Sequence, residues 1–275
     1  MTVLRELRVR LTNRVCRLRS ESSVPACAVL LPLMLWCAAL GAQGTSTSPA
    51  SRFGLGDDQF VAIQPGSFVM GSDNGRPDER PARRVTLTQA FWLQKTEVTQ
   101  AQWTAVMGLD PSVVSACGGS CPQENVSWED VQTFLARLNT ATGKQYRLPT
   151  EAEWEHAARA GTTGDFGGTG RLEQMGWYNE NSGGSTHPVA QKAPNAWGLY
   201  DMHGNVWEWV QDWYAADSYN TVVSEDPPGR ASGSYRVLRG GSWVDRAAGT
   251  RSATRVYSTP SEGNSDMGFR LARTP

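Results

Sequence analysis

The stretch Asn195–Trp209, NAWGLYDMHGNVWEW, constrains the fold of this 275-residue chain more than any other. It carries three of the 11 Trp residues and sets two carboxylates, Asp201 and Glu208, on either side of the turn His203-Gly204-Asn205. A Gly-Asn pair lets the backbone visit positive φ and turn tightly, so carbonyls and carboxylates converge in a small oxygen-lined cup. That donor supply suits a hard cation such as calcium. The spacing fits equally a tight turn whose acids cap backbone amides, because no EF-hand pattern is present.

Four further motifs surround this stretch in order. Glu124–Val131 reads ENVSWEDV, Arg147–Gly161 reads RLPTEAEWEHAARAG, Arg236–Trp243 reads RVLRGGSW and Gly268–Ala272 reads GFRLA. Together with GLYDMHGNVWEW they resemble the formylglycine-generating enzyme or sulfatase-modifying factor family, from about Phe60 to Arg273. The resemblance implies an α+β, C-type-lectin-like fold with little regular secondary structure, small antiparallel sheets and a few capped helices. It also implies a structural calcium ion held by the side chains of Asp201 and Glu208 and the carbonyls of Gly204 and Val206. Where the family has another calcium site, this sequence shows no obvious ligand set.

The family's aerobic chemistry uses two cysteines just beyond GGSW to hold copper, since a soft Cu(I) ion needs thiolates. Here Asp245 and Thr250 stand at those positions, so copper is not expected. Trp207 and Ser242 match pocket positions of the family and, with Asp245 and Thr250, are the pocket candidates. Ser242 has no evident His/Asp partner and reads also as a hydrogen-bonding core group. Trp243, Arg246, Arg251 and Arg255 are candidate ligand-binding residues on a positive rim that suits an anionic ligand. Arg251, Arg255 and Arg270 fit equally as buried partners of acids. His156, His187 and His203 show no metal-triad spacing. The expected function is a binding or accessory module for a peptide, glycan or protein partner. The alternative is an oxidoreductase working without the cysteine pair, comparable to periplasmic tailoring relatives in siderophore maturation.

The N-terminus begins with a basic segment, then runs uncharged from Pro25 to Ala42. This is the order of a secretory signal, with cleavage expected after Ala42, or of an uncleaved inner-membrane anchor. Cys37 invites a lipoprotein reading that the bulky Trp36 before it disfavours. Each reading exports the folded part to the periplasm or beyond, with membrane contact only through an uncleaved leader. Residues 1–42 take six basic and two acidic residues from the 26 and 27 of the whole chain, leaving 20 and 25 and a formal charge of −5. Such a balance offers no basic face to nucleic acid. A polar linker, 43–59, is expected to lead into one domain over 60–273.

Three of the five Cys lie in the leader, leaving Cys117 and Cys121 in CGGSC. In an exported protein they form a local disulfide, or alternatively a redox-active dithiol. Phe60–Ile63 and Gly66–Gly71 read as an opening hairpin turning at Pro65-Gly66, and Arg83–Leu93 as a third strand. The segment Ser72–Arg80 reads as a loop with solvated charges. Helix starts are signalled by Thr99 with Gln102, Ser127 with Asp130 and Thr150 with Glu153. After Ser127, Trp128, Val131, Leu135 and Leu138 recur at helical spacing and should face the core, with Gly143 ending the helix. Glu151, Glu153 and Glu155 read as caps and ion-pair partners rather than catalysts.

Overall fold

All three expected caps start helices. In the computed structural model, which describes residues 48–114, 117–220 and 224–274, α1 (Gln100–Met107), α2 (Trp128–Thr142) and α3 (Glu151–Arg159) each begin with a complete capping box. The Ser127 and Asp130 pair is a full box: the Ser side chain accepts from the Asp130 N–H while the Asp side chain takes the Ser127 N–H. Each reciprocal pair satisfies two of the four N–H groups that a helix start leaves open. Gly143 ends α2 at φ 70°, a left-handed conformation that a side chain would strain. Val131, Phe134, Leu135 and Leu138 face inward, while Trp128 lies half-buried with its indole N–H on the Val210 carbonyl. A fourth, single-turn helix, α4, spans Leu172–Met175.

Among the described residues, ten short strands form three sheets. The first has the order β1 (Phe60–Ile63), β4 (Phe91–Gln94), β10 (Ala272–Arg273), β5 (Tyr146–Arg147), so it ties the two ends of the domain together. The second pairs β2 (Gly66–Met70) with β3 (Arg83–Leu87). The third runs β8 (Arg255–Ser258), β7 (Arg236–Arg239), β6 (Trp207–Trp213), β9 (Met267–Gly268), antiparallel except for β6 and β9. The fold is α+β with small sheets, as the motifs imply.

Two expectations about the strands are corrected. Phe60–Ile63 and Gly66–Met70 are not a hairpin: β1 pairs with β4 and β2 with β3, so the Gln64-Pro65 link carries the chain from one sheet to another. The packing of Phe60 on Tyr146 of β5, ring centroids 5.8 Å apart, is reached only through the first sheet. For the same reason Arg83–Leu93 is two strands, broken where the Thr88 N–H turns to Asp226 at 2.8 Å. The expected start of the domain at 60 also moves earlier. Ala50 and Leu55 are fully buried in the core, and Gln102 donates to the Gly54 carbonyl at 2.8 Å. Ser46–Pro275 is one compact unit. The leader, residues 1–42, and the start of the expected linker lie outside the described residues, with Cys16, Cys27 and Cys37. Among the described residues no helix is long and apolar enough to cross a membrane.

What fastens these short elements is a set of buried guanidinium–carboxylate pairs. Arg255 grips Glu151 of α3 with both arms, at 2.7 and 2.8 Å, and donates also to the Asp78 and Ala215 carbonyls. Arg239 reaches Glu155, which pairs in turn with Arg159 at 2.7 Å. Arg270 holds Glu208 bidentately at 2.7 Å. Glu79 is fully buried against Arg251 at 2.6 Å and Asp78 is buried beside it, so the expected solvation of the Ser72–Arg80 charges holds for exposed Asp73 and is corrected for these two acids. An Arg more than 170 residues away in sequence supplies the partner that a local reading lacked. Glu151 and Glu155 are ion-pair partners and Glu153 is the cap, as expected.

One buried acid at this junction has no such partner. Asp212 of β6 accepts the first N–H of α3, from Glu151, at 2.7 Å. Burial, reinforced by the charge of Glu151, pushes its carboxyl up to about 7. Folded protein therefore keeps a proton that the unfolded chain releases near 3.8, so this group favours folding at low pH and loses that contribution as pH rises through about 7. Urea denaturation should find that Asp212→Asn gains stability relative to the wild type on going from pH 5 to pH 8. A constant difference between the two proteins would refute this. By contrast, Arg255→Ala strips buried Glu151 of its bidentate partner, leaving it only Arg239 at 3.5 Å and the Tyr219 hydroxyl, and should cost about 3 kcal/mol in the same measurement.

Candidate functional site

The two motifs richest in sequence signal are laced together. The Gly204 N–H donates to the Gly240 carbonyl and the Trp243 N–H to the Asn205 carbonyl, each at 2.9 Å, so the turn after Asp201 lies against the GGSW loop. Gly204 sits at φ 97°, and a Cβ there would collide with the Trp177 carbonyl. Gly241, at φ 77°, is equally intolerant, because a Cβ would strike Thr250. Both glycines are therefore required by close backbone approach as well as by φ.

At the turn, Asp201 is buried with φ 56°, and its Oδ2 accepts the Ala190 N–H at 2.7 Å. Its Oδ1 is buried without a hydrogen-bond partner. Burial pushes this carboxyl up to about 6. Beside it lies a residue that the sequence reading missed. Glu97, fully buried between β4 and α1, holds only long contacts from the Asn205 side-chain amide at 3.3 Å and the Val206 N–H at 3.4 Å. Burial and then the charges of Asp201 and Glu208 drive it well above the ordinary carboxylate range. Glu97 ends the polar stretch Gln94-Lys95-Thr96-Glu97 between two structured elements, so the local sequence held no signal that it would be buried.

Glu208, expected as a cation ligand, is instead committed to Arg270 on both oxygens and to the Trp154 indole N–H at 2.8 Å. Among the described residues no three His, Cys, Asp or Glu side chains stand ready as a metal centre. The donors that fit a hard cation are thus two under-satisfied carboxylates, Asp201 and Glu97, with the buried carbonyls of Gly204 and Val206 expected to complete the set. Two buried acids facing one already engaged guanidinium are pushed toward their protonated forms, and a bound cation would favour their ionised forms instead. The calcium expectation is checked by thermal melting. Chelator should lower the midpoint and calcium restore it by mass action, and Asp201→Ala should abolish the response. A variant that melts like the wild type with and without chelator would reduce these acids to caps.

At GGSW the geometry is closed. Ser242, fully buried, has its Oγ 2.6 Å from Asp245 Oδ2 and 3.3 Å from Asp266 Oδ2, and its N–H donates to the same Asp245 oxygen at 3.0 Å. Asp245 is therefore a cap on Ser242. Asp266 is raised by burial and by Asp245, and its Oδ1 is buried without a partner. Thr250 is fully buried, its hydroxyl on the Ala247 carbonyl at 3.1 Å and its own carbonyl receiving His203 Nδ1–H at 2.9 Å. His203 Nε2 accepts the Gly167 N–H at 3.0 Å, so this ring is neutral, and burial holds its pKa down at about 4. Trp207 belongs to the core, its N–H on the Asp266 carbonyl at 2.7 Å.

Of the four ligand-binding candidates, the structure leaves two at the surface. Trp243 is half-buried with its indole N–H on the Ser265 carbonyl at 3.2 Å, and Arg246 is exposed. Arg251 and Arg255 are consumed by Glu79 and Glu151, which corrects the expected positive rim. Cys117 and Cys121 are joined as a disulfide, Cα atoms 5.2 Å apart. His187 stacks on Trp177 at 3.7 Å, and the ammonium of Lys192 lies 3.9 Å from the same ring centroid. His156 packs against Phe68 and Trp197, so the three histidines are dispersed.

Comparison with known proteins gives a consistent answer. Residues 47–275 match the sulfatase-modifying factor enzyme 1-like domain. A serine/threonine-protein kinase pkn1 of Chlamydia caviae is 33% identical over 244 residues, covering 78% of this chain and 38% of the kinase. The chain thus spans little more than a third of that relative's length. A formylglycine-generating enzyme of Streptomyces coelicolor is 34% identical over 242 residues, covering 81% of this chain and 69% of the enzyme. Among solved structures, Treponema denticola variable protein 1 superposes with a TM-score of 0.74 at 35% identity, covering 78% of this chain and 95% of that one.

Proposed function

The chain belongs to the sulfatase-modifying factor family, and from that premise we propose that it is an exported accessory or binding module rather than a formylglycine-generating oxidase. One observation carries the reading. At the two places where copper chemistry needs thiolates stand a carboxylate and a hydroxyl, and each is already committed inside the protein. Asp245 caps Ser242, and Thr250 bonds Ala247 while holding His203. Both are hard donors that hold Cu(I) poorly. The remaining cysteines of the domain, Cys117 and Cys121, are bonded to each other. Calcium, in this reading, stiffens the turn that the GGSW loop leans on.

The surface offered to a partner is the segment from Trp243 through Arg246, with Ser258–Asp266 beside it. The Trp243 indole reaches the Ser265 carbonyl, so the two segments form one face. A peptide, glycan or protein is the partner class, and export follows from the leader motif. The name of the Treponema relative, a variable protein, accords with a fold that carries changeable loops on a fixed frame.

A second reading, an oxidoreductase without the cysteine pair, is favoured by Asp266, whose raised carboxyl beside Ser242 leaves a titratable group at the loop. The same experiment separates the two. Purified protein incubated with copper, oxygen and a peptide bearing Cys-x-Pro-x-Arg should give no aldehyde by mass spectrometry and no oxygen consumption. Repeated turnover would overturn the binding-module reading.

A further inference from the structure

The end of β6, the first turn of α3 and the loops at Ser218–Asn220 and Pro227–Arg230 enclose a cavity of about 390 Å3. That volume lies in the range of small-molecule sites, roughly 300–1,000 Å3. None of its lining residues belongs to the GGSW loop or to the Asp201–Glu208 turn. Its apolar walls include Met70, Trp213, Tyr219 and Pro228, and Asp212 lines it from β6.

The charges of this cavity are matched with one exception. Glu151 is held bidentately by Arg255, and Asp217 is paired with Arg230 at 2.5 Å. Arg83 lies over the Tyr219 ring, 5.7 Å from its centroid. Asp212 takes the α3 N–H through Oδ2 alone. Its Oδ1 faces Gly229, where a Cβ would collide with it. Among the described residues no Lys, Arg or His pairs with Asp212. An anion placed here would lie beside that carboxylate, and the helix N–H that would have greeted it is already taken.

We propose that this cavity is a second binding site, for a small organic cation: a primary ammonium or guanidinium group on an apolar body, with Asp212 as its counter-ion. The apolar part packs among Met70, Trp213 and Pro228, and the charged end replaces the missing partner of Asp212. Exclusion of water by those walls strengthens the ion pair relative to the surface.

Titration calorimetry of the full-length protein tests this with three isosteric probes, phenethylamine, 2-phenylethanol and phenylacetate, at about pH 8, where Asp212 is ionised. Phenethylamine should bind saturably and about tenfold or more tighter than the alcohol, and phenylacetate should not bind. Asp212→Asn should bring the amine down to the level of the alcohol. Asn keeps an oxygen for the α3 N–H, and circular dichroism checks that the variant is folded. Asn220→Trp, at an exposed lining position, blocks the cavity without touching Asp212 and should weaken the amine independently. Equal binding of amine and alcohol, no saturable amine binding, or wild-type amine affinity in Asn220→Trp or in a folded Asp212→Asn would each overturn the proposal.

Discussion

The rest of the structure depends on guanidinium–carboxylate pairs sealed inside it. Arg239, Arg255 and Arg270 are among the largest fully buried side chains, alongside Trp154 and Trp209. A domain whose longest strand has seven residues cannot rely on long ladders to hold its loops. A bidentate pair fixes distance and orientation together, and three buried ones bridge distant segments: Arg255 to Glu151, Arg270 to Glu208, Arg251 to Glu79. Such pairs gain little over a well-packed apolar core, but a singly broken one is costly. That asymmetry makes them determinants of which arrangement forms rather than generators of stability.

How far this was legible follows from where the partners lie. The three capping boxes close within three residues, so local sequence contains the whole interaction, and Thr99, Ser127 and Thr150 each start a helix. The fold followed from ordered motifs whose glycines and aromatics serve close backbone approaches, as Gly204 and Gly241 do. Strand pairing was not legible, because β1 and β2 are neighbours in sequence and members of different sheets. The buried state of Glu79 was hidden for a like reason: its partner arrives from the far end of the chain. Glu208 shows the limit most sharply. Spacing suggested a cation ligand, yet Arg270, in the separate GFRLA motif, claims both its oxygens.

The GGSW loop is held from within by its own hydrogen bonds. Two separate hydrogen-bonded sets hold it, Ser242 with Asp245 and Thr250 with Ala247 and His203, so the Asp245 and Thr250 side chains are committed within the protein. Trp243 and Arg246 beside it stay near solvent. A frame fixed from within and side chains presented outward is the division of labour that a recognition surface uses.

Against this background the unmatched acids carry the most information. Most buried carboxylates in the described residues meet a guanidinium or a cap, so the chain has the means to neutralise charge wherever structure alone requires it. Asp201 with Glu97 at the turn, and Asp212 in the cavity, are left without a cationic side chain of their own that is free to pair. Burial raises each of them, which is a standing cost in the folded protein and a stabilisation regained when a cation arrives. The two places differ in what they admit. The turn offers carboxylates and backbone oxygen in a space closed by Gly204 and Trp177, suited to a bare ion, whereas the cavity offers a single unpaired carboxylate, Asp212, among aromatic and proline walls, suited to an ion with a body. Perturbed acids concentrate at functional sites for this reason: the charge is kept unpaid inside the chain so that something outside it can complete the pair.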